Sequence, residues 1–435
     1  MHTLNQLQSG ELVGKTQIKI SEGIVSIPDA LFDLADTLEV LDLSGNNLVE
    51  LPDTFSKFKK LRILFLSNNK FVEFPAVLNS LEHLDIVGFK ANIITHIPEK
   101  SIPVSLRWLI LTDNKISQLP TSIGDCIKLQ KVMLAGNCLT SLPDRMALCT
   151  NIELLRLSAN AITVLPSWLF KLPRLAWLAF SNNTCVELAT QAGVKSVLTY
   201  IPWSALEIKE QLGQGASGII YKAYWKERGA DVAVKLYKGT VTSDGFPKDE
   251  MQACIHVGVH ANLPVVLGVL SNHPDRVEGL VMELIDPSYN ILGGAPDFVT
   301  CTRDTFDTNT SFSIDSTQKI MLCVTQVLAH LHEKGTMHGD LYAHNTLVRE
   351  SGDALLSDFG AATLFDTQNV ELRRSIEKIE IRAFGCMLDD LLEHTNGRED
   401  VRYKNLSILR NRCLDLNQNE RPSFEEVFML LNQNL

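Results

Sequence analysis

The sequence predicts two fold classes in one chain: an α/β solenoid of short repeats, followed by an α+β domain of two lobes. In the first part of the chain an asparagine recurs every 22 or 23 residues. In the second part this period is absent. A glycine-rich stretch between apolar segments occurs there instead, followed later by a stretch that contains acidic residues and an amide. A fixed short period is typical of solenoids, because one repeat alone cannot bury its apolar face.

Composition narrows the class of protein. The chain has 435 residues, of which 45% are hydrophobic and 21% charged, as in globular proteins of two or three domains. A net charge of −11 disfavours a nucleic-acid partner. The nine cysteines form no C-x-x-C pair, which favours free thiols in a reducing compartment. We therefore expect a cytoplasmic protein with no membrane span and no cleaved secretory signal in residues 1–16.

The period of the first part is carried by seven asparagines. They are Asn46, Asn69, Asn92, Asn114, Asn137, Asn160 and Asn183. A proline follows six residues after each of the first six, and L-x-x-L-x-L precedes most of them, as in residues 38–43. These motifs resemble leucine-rich repeats of the 23-residue type, over about residues 16–185. Alternation should point Leu41 and Leu43 inward and Asp42 outward, and each asparagine can bond the main chain of adjacent coils.

The outward strand positions should line the concave face of the repeats. In the third repeat the spacing predicts a three-residue bulge near residues 88–90, which places His83 and Asp85 in the two outward columns. The apolar members of these columns are Phe65, Trp108, Ile110, Met133 and Trp177. An exposed apolar patch predicts a protein substrate or regulator bound there. The alternative is that the second half of the chain covers it.

A glycine-rich loop opens the second part. Residues 212–222 contain G-x-G-x-x-G at Gly213, Gly215 and Gly218. Glycines let a main chain approach phosphates closely. A dinucleotide-binding turn should lead into a helix, whereas an apolar strand follows here, so a hairpin over a nucleotide is favoured. Lys235 ends the next apolar strand.

A second motif supplies acids and an amide. Asp340 is followed five residues later by Asn345, and Asp358 precedes Phe359 and Gly360. Phosphoryl transfer from ATP needs a carboxylate that faces the accepting hydroxyl, and an amide and a carboxylate that hold Mg²⁺. These residues at this spacing predict such a site.

The ordered motifs resemble those of eukaryotic-type protein kinases over residues 203–435, including residues 380–385 and 413–427. With the repeats, the chain is similar to bacterial-type leucine-rich-repeat protein kinases. The resemblance implies a bilobal kinase fold that uses ATP and Mg²⁺. It implies catalytic roles for Asp340, Lys235 and Asn345, with Asn345 and Asp358 as metal ligands.

The resemblance also implies a nucleotide pocket. Its expected residues are Leu212, Gly213, Gly215, Gly218, Ile220, Ala233, Lys235, Glu250, Met282 and Glu283. Glu250 is the expected partner of Lys235, with Asp249 as the alternative. Met282 would lie beside the adenine, and Glu283 would offer main-chain groups to it.

The resemblance implies domain boundaries as well. The expected divisions are an N-terminal cap with a degenerate first repeat at 1–37, repeats at 38–185, a cap or linker at 186–202, a small lobe at 203–284 and a large lobe at 285–435.

Three departures from the kinase pattern bear on function. Gly339 replaces the arginine of H-R-D, Tyr342 replaces the substrate-side lysine, and only 19 residues separate Gly360 from Glu380. We expect binding of ATP and Mg²⁺ and an activity that loop phosphorylation does not switch. A serine/threonine-type kinase is the leading hypothesis, although His344 and Tyr342 fit neither specificity class. The alternative is a nucleotide-binding pseudokinase scaffold whose repeats mediate protein interaction.

Overall fold

The computed structural model describes residues 1–186 and 199–433. Contacts divide the chain into two compact units. The first comprises Met1–Leu175 and Asn183–Cys185, and the second comprises Ala176–Asn182 and Val186–Leu435. Residues 176–182, here called segment 176–182, therefore group with the second unit. Most of the expected cap or linker at 186–202 lies outside the described residues, and the expected domain limits stay predictions.

The repeats form a parallel sheet of eight three-residue strands in chain order, which confirms the predicted solenoid class. The strands are β1 (Gln17–Lys19), β2 (Val40–Asp42), β3 (Ile63–Phe65), β4 (Ile86–Gly88), β5 (Trp108–Ile110), β6 (Lys131–Met133), β7 (Leu154–Arg156) and β8 (Trp177–Ala179). One helix, α1 (Leu4–Gln8), precedes them. Because β1 pairs with β2, the predicted cap already contains a complete strand. Leu41 and Leu43 are buried and Asp42 is half-buried, as alternation predicts.

Short 3₁₀ turns form the side of the repeats opposite the strands. They are Asp29–Leu34, Asp53–Lys57, Ala76–Ser80, Thr121–Asp125, Asp144–Leu148 and Leu169–Lys171. A proline occupies the position before each of the first five. Its fixed φ suits the start of a helical turn, which explains the periodic prolines.

The recurring asparagines bridge neighbouring coils, as predicted. The amide nitrogen of Asn69 donates to the carbonyls of Leu43 and Leu66, at 3.0 Å each. Its carbonyl oxygen accepts the main-chain N–H of Leu48 at 3.0 Å. Asn46, Asn92, Asn114 and Asn137 make equivalent bonds to two repeats at once. Both ends of each amide are therefore used inside the repeats.

The register of the third repeat differs from the prediction. Ile86 pairs with Ile63 and with Trp108, so Ile86 and Gly88 occupy the places that were assigned to His83 and Asp85. The predicted bulge at residues 88–90 is wrong, because Val87 and Phe89 take the positions of the repeat leucines and restore the period. A Cβ on Gly88 would lie 2.8 Å from the Phe65 ring, so this glycine makes room for that side chain.

The second unit begins with a six-stranded sheet, in the order β10-β11-β12-β14-β13-β9. Its strands are β9 (Tyr200–Pro202), β10 (Leu206–Gln214), β11 (Gly218–Trp225), β12 (Ala230–Tyr237), β13 (Val266–Ser271) and β14 (Gly279–Glu283). Val232, Val234 and Val281 form its buried core. Helix α2 (Pro247–Val257) packs in the same lobe and begins with a proline, whose missing N–H is not needed at a helix start.

The rest of the second unit is mainly helical, as a bilobal α+β fold requires. Its helices are α3 (Ile314–Glu333), α4 (Val370–Glu393), α5 (Val401–Cys413) and α6 (Phe424–Asn432). Short strands complete it: β15 (Asn290–Ile291), β16 (Thr336–Met337), β17 (Thr346–Val348), β18 (Ala354–Leu356) and β19 (Thr363–Leu364). Within residues 1–186 and 199–433, no helix has the length and apolar character needed to cross a membrane.

Candidate active site

The glycine-rich loop closes the hairpin of β10 and β11, as the sequence predicts. Gly213 pairs with Ile220, and the N–H of Gly215 donates to the carbonyl of Gly218 at 3.0 Å. A Cβ on Gly213 or Gly215 would have no other atom within 4 Å, so this side of the loop is open. A Cβ on Gly218 would lie 2.4 Å from the Leu236 carbonyl oxygen. The third glycine therefore permits close strand pairing, whereas the first two leave space for a ligand.

Lys235 on β12 forms an ion pair with Glu250 of helix α2. Glu250 is buried and Lys235 is nearly so. Burial disfavours the ammonium charge, but the carboxylates of Glu250 and Asp358 outweigh this effect and raise the pKa of Lys235. The structure thus joins Lys235 to Glu250 rather than to Asp249.

The expected adenine-side residues lie on neighbouring strands. Ala233, which is buried, pairs with Met282, which is half-buried, across β12 and β14. Glu283 follows at the end of β14, and its carboxylate bonds Arg228 at 2.8 Å. Leu212 is about half exposed, at 48%. These residues and the open side of the glycine loop belong to one lobe.

Asp340 and Asn345 are held together in the loop between β16 and β17. The amide nitrogen of Asn345 donates to the Asp340 main-chain carbonyl at 2.9 Å and to its carboxylate at 2.8 Å. His338 is buried, and its Nε2 bonds the Ser357 carbonyl at 3.1 Å. Because the nitrogen end of the Asn345 amide faces Asp340, its carbonyl oxygen is turned away from Asp340.

Asp358 lies in a tight turn at the end of β18. Its φ of 59° is in the left-handed region, and its Oδ1 accepts the N–H of Gly360 at 3.0 Å. The carboxylate is exposed and lies close enough to Lys235 to influence its pKa. A carboxylate and an amide oxygen are hard donors of the kind that Mg²⁺ takes, so the residues present fit this cation.

Two further acids support the loop. Asp304 is buried and accepts the N–H of Ala343 at 2.5 Å and bonds Nδ1 of His344 at 2.6 Å. Glu380 of helix α4 accepts the N–H of Gly339 at 2.8 Å. Sequence reasoning missed Asp304, because residues 286–313 have no hydrophobic period that would mark a buried acid among their polar residues.

The predicted apolar face of the repeats needs a correction. Trp177 is 1% exposed and Met133 is 9% exposed, so neither is available to a partner. Trp177 belongs to the second unit, where its ring stacks on Tyr342. Phe65, Trp108 and Ile110 are half-buried. The exposed patch is therefore smaller than alternation along the strands predicts.

Comparison with known protein families gives two matches. Residues 206–377 match the protein kinase domain, and residues 18–71 match the leucine rich repeat. The kinase match begins at β10 and includes the glycine loop, Lys235, Glu250, Asp340 and Asn345. The repeat match includes the first strands of the parallel sheet.

Individual proteins are similar to this chain at low identity. A probable serine/threonine-protein kinase of Dictyostelium discoideum is 24% identical over 274 residues, which is 54% of this chain and 28% of that protein. The angiopoietin-1 receptor of Danio rerio is 27% identical over 202 residues, 43% of this chain and 17% of the receptor. Cyclin-dependent kinase 9 of Xenopus tropicalis is 23% identical over 171 residues, 37% of this chain and 43% of that kinase.

The chain therefore spans less than half the length of each of these relatives. The matched regions agree with the two kinds of structure described above, a parallel sheet of short repeats and a bilobal unit with a glycine loop. The chain thus combines leucine-rich repeats with a protein kinase domain.

Proposed function

We propose that the second unit transfers the γ-phosphate of ATP to a serine or threonine hydroxyl of a protein. The observation that carries the proposal is the bonded pair of Asp340 and Asn345 together with the ion pair of Lys235 and Glu250. These four side chains come from three separate parts of the sequence. A scaffold without catalytic demand would have no need to keep them in bonded pairs.

Each side chain has a physical task in this reaction. The Asp340 carboxylate accepts the proton of the substrate hydroxyl, because a carboxylate is the base that phosphoryl transfer requires there. Lys235, held by Glu250, binds the phosphates of ATP, and the open side of Gly213 and Gly215 admits them. Asn345 orients Asp340 through its amide nitrogen.

The loop between β16 and β17 and the turn after β18 offer the ligands for the cofactor. Asn345, through its carbonyl oxygen, and Asp358, through its carboxylate, would hold Mg²⁺. The bound cation would neutralise charge on the phosphates of ATP. The N–H of Gly360 and the left-handed turn keep the Asp358 carboxylate in position for this role.

We also propose that the repeats recruit the protein substrate or a regulator through Phe65, Trp108 and Ile110. Two aromatic rings and an aliphatic side chain on β3 and β5, the two strands that flank β4, form the kind of patch that protein partners bind. Lys131 lies over the Trp108 ring, 4.2 Å from its centroid, and adds a positive charge to this patch. An acidic partner would gain from that charge.

A titration with Mg·ATP tests the nucleotide site. Binding to the folded state alone stabilises a protein by about 2.7 kcal/mol at a ligand concentration of 100 Kd. We expect the melting temperature to rise with Mg·ATP and not with Mg²⁺ alone. The same rise in Lys235→Met, or no rise in the wild type, would contradict the assignment.

Substitution of Asp340 tests catalysis. Asp340→Asn should lower phosphotransfer from labelled ATP by about 10³-fold, since it removes the base but keeps the shape of the loop. Asp353→Asn is the matched control, because Asp353 is half-exposed and bonds Lys319 away from the loop. Asp340→Asn should keep the melting shift with Mg·ATP. Wild-type transfer by this variant would remove Asp340 from the mechanism.

The alternative function is a nucleotide-binding scaffold. It is favoured by the short connection after Gly360, since helix α4 already begins at Val370 and leaves only residues 361–369 for an activation segment. In that case the wild type would show the melting shift without phosphotransfer, and the repeats would carry the function. The two experiments above separate these outcomes.

A further inference from the structure

Segment 176–182 is buried in the kinase unit. Trp177 is 1% exposed, Leu178 and Ala179 are not exposed, and Phe180 is 2% exposed. Contacts group this segment with residues 186–435 rather than with the repeats that precede it. Its side chains and main chain therefore belong to the environment of the catalytic residues.

Trp177 contacts the catalytic loop directly beside Asp340. Its indole N–H donates to the Leu341 carbonyl at 2.9 Å. Its ring stacks on Tyr342 with 4.4 Å between centroids and 7° between planes. Tyr342 in turn lies 4.8 Å from the His344 ring. One side chain thus holds the two residues that follow Asp340, by a hydrogen bond and by stacking.

The main chain of the segment explains Gly339. A Cβ at this position would lie 2.5 Å from the Leu178 carbonyl oxygen and 2.8 Å from that of Ala361. Both atoms belong to main chain, which cannot turn aside as a side chain can. Gly339 also has a φ of 74°, which disfavours other residues. The residue before Asp340 is therefore a glycine because segment 176–182 fills the space of a side chain.

The same segment reaches two other parts of the site. The N–H of Phe180 donates to the Thr363 hydroxyl at 3.1 Å, just after the turn at Asp358–Gly360. The Asn182 side chain lies close to the Asp249 carboxylate, next to Glu250 on helix α2, and opposes the rise in the pKa of Asp249 that burial causes. Segment 176–182 therefore contacts three parts of the chain that carry proposed site residues. They are the loop with Asp340, the stretch that follows the turn with Asp358, and helix α2 with Glu250.

We propose that segment 176–182 is a built-in positioning element of the phosphotransfer site, and that Trp177 is its main positioning residue. The inference rests on the proposed function. The segment holds Asp340 at the geometry for transfer without a phosphate on the short connection after Gly360. Trp177 acts through Leu341 and Tyr342, and it is not itself a catalytic residue.

The proposal assigns Gly339 a positive role. In the sequence this glycine indicates a lost anchor for a phosphorylated loop. In the structure, the carbonyls of Leu178 and Ala361 occupy the space beside it. The catalytic loop is thus supported from a part of the chain that lies more than 150 residues earlier in the sequence.

The test compares Trp177→Ala, Trp177→Phe and the wild type as full chains. We expect Trp177→Ala to lower kcat by about 10²-fold, since a small misplacement of a reacting group has an effect of that size. Trp177→Phe should lose about tenfold, because it keeps the stacking but not the bond to Leu341. KM for ATP should stay within about twofold in both, since Lys235 and Glu250 are untouched.

A second readout reports on the loop itself. Amide hydrogen exchange of residues 338–345 should be faster in Trp177→Ala than in the wild type. Trp168→Phe is the matched control, because Trp168 is a half-buried tryptophan of the first unit. It should leave kcat and this exchange unchanged.

Several outcomes would overturn the inference. They are a wild-type kcat in Trp177→Ala, a loss of kcat matched by a rise in KM for ATP, or unchanged exchange in residues 338–345. If Trp177→Ala does not fold, Trp177→Phe and Gly339→Ala test the inference instead. A wild-type kcat in both of these variants would overturn the positioning role of segment 176–182. If the wild type transfers no phosphate, the proposed function fails, and the exchange measurement alone decides on positioning.

Discussion

Buried asparagines occur in both units, but their amides are used differently. In the repeats, the Asn114 amide donates to the main-chain carbonyls of Phe89 and Leu111, and at a longer 3.4 Å to that of Thr112, and its oxygen accepts the N–H of Ile94. In the kinase unit, the Asn345 amide donates twice to Asp340. No hydrogen bond to its carbonyl oxygen comes from the part of the chain that the structure describes.

This difference separates a structural amide from a candidate ligand. A buried amide whose two ends are both bonded to main chain is held in place by the fold and is shielded from another molecule. An amide that is fixed by its nitrogen presents its oxygen at a defined position. The comparison therefore predicts that substitutions of the two asparagines affect different quantities.

The largest effect is expected for Asn345→Ala. Phosphotransfer should fall by about 10³-fold, equivalent to about 4 kcal/mol of activation free energy, because Asp340 loses its orienting bond and Mg²⁺ loses a ligand. The free energy of unfolding should change little by comparison. Steady-state kinetics and denaturant titration of the same variant measure both quantities. A larger loss of stability than of rate would remove the distinction between the two amides.

Asn114→Ala should show the opposite behaviour. The buried N–H of Ile94 would lose its partner, and the carbonyls of Phe89 and Leu111 would each lose one of two amide donors and keep those of Asn92 and Asn137, at a cost of about 2 kcal/mol of unfolding free energy. Phosphotransfer per folded molecule should be unchanged. Lys115→Ala, an exposed neighbour, serves as the control in the same titration. A selective loss of kcat in Asn114→Ala would contradict the structural role.

Gly88→Ala tests packing within the repeats apart from any amide. The added methyl group would meet the Phe65 ring, which can shift, so we expect a loss of about 1–2 kcal/mol. Thermal unfolding would measure it. An additional loss in partner binding, with Phe65 displaced, would support the proposed recruiting patch. No change in stability would show that the ring has free space.

The smallest effect concerns pH. Burial disfavours a charge on His344, but the hydrogen bond to Asp304 and the nearby Asp340 raise its pKa. A raised pKa in the folded state stabilises the fold below about pH 6.5, the unfolded value, and this contribution is lost as pH rises through the folded pKa. Relative to His344→Gln, the wild type should lose stability as pH rises from about 6.5 through the folded pKa of His344. Denaturant titrations at several pH values measure the free energy of unfolding of the wild type and of His344→Gln. If the pair of His344 and Asp304 contributes nothing, the two free energies will change with pH in parallel.

Local patterns predicted most of the fold. The repeated asparagines and prolines predicted stacked coils, and the structure confirms the asparagine hydrogen bonds between neighbouring coils. The kinase motifs predicted the order of the two lobes. The third repeat was misplaced because Val87 and Phe89 stand where leucine is expected, so a pattern of leucines alone shifts the register. Burial of both side chains shows that size and apolarity, rather than residue identity, set the period.

The candidate site was predictable only in part. The resemblance to protein kinases was enough to select Lys235, Glu250, Asp340 and Asn345, which the structure brings into bonded pairs. The contact of Trp177 with Leu341 spans 164 residues, and no local period encodes such a distance. Trp177 occupies an outward strand position, and alternation alone cannot distinguish a solvated face from one covered by a distant loop.

Segment 176–182 also determines where the kinase can be cut. A fragment that begins at residue 203, where the kinase motifs begin, lacks Trp177 and leaves the ring of Tyr342 and the carbonyl of Leu341 without their present neighbours. A low activity of such a fragment would therefore reflect the missing segment and would not count against the proposed function. The last strand of the repeats has to be kept when the catalytic part is produced on its own.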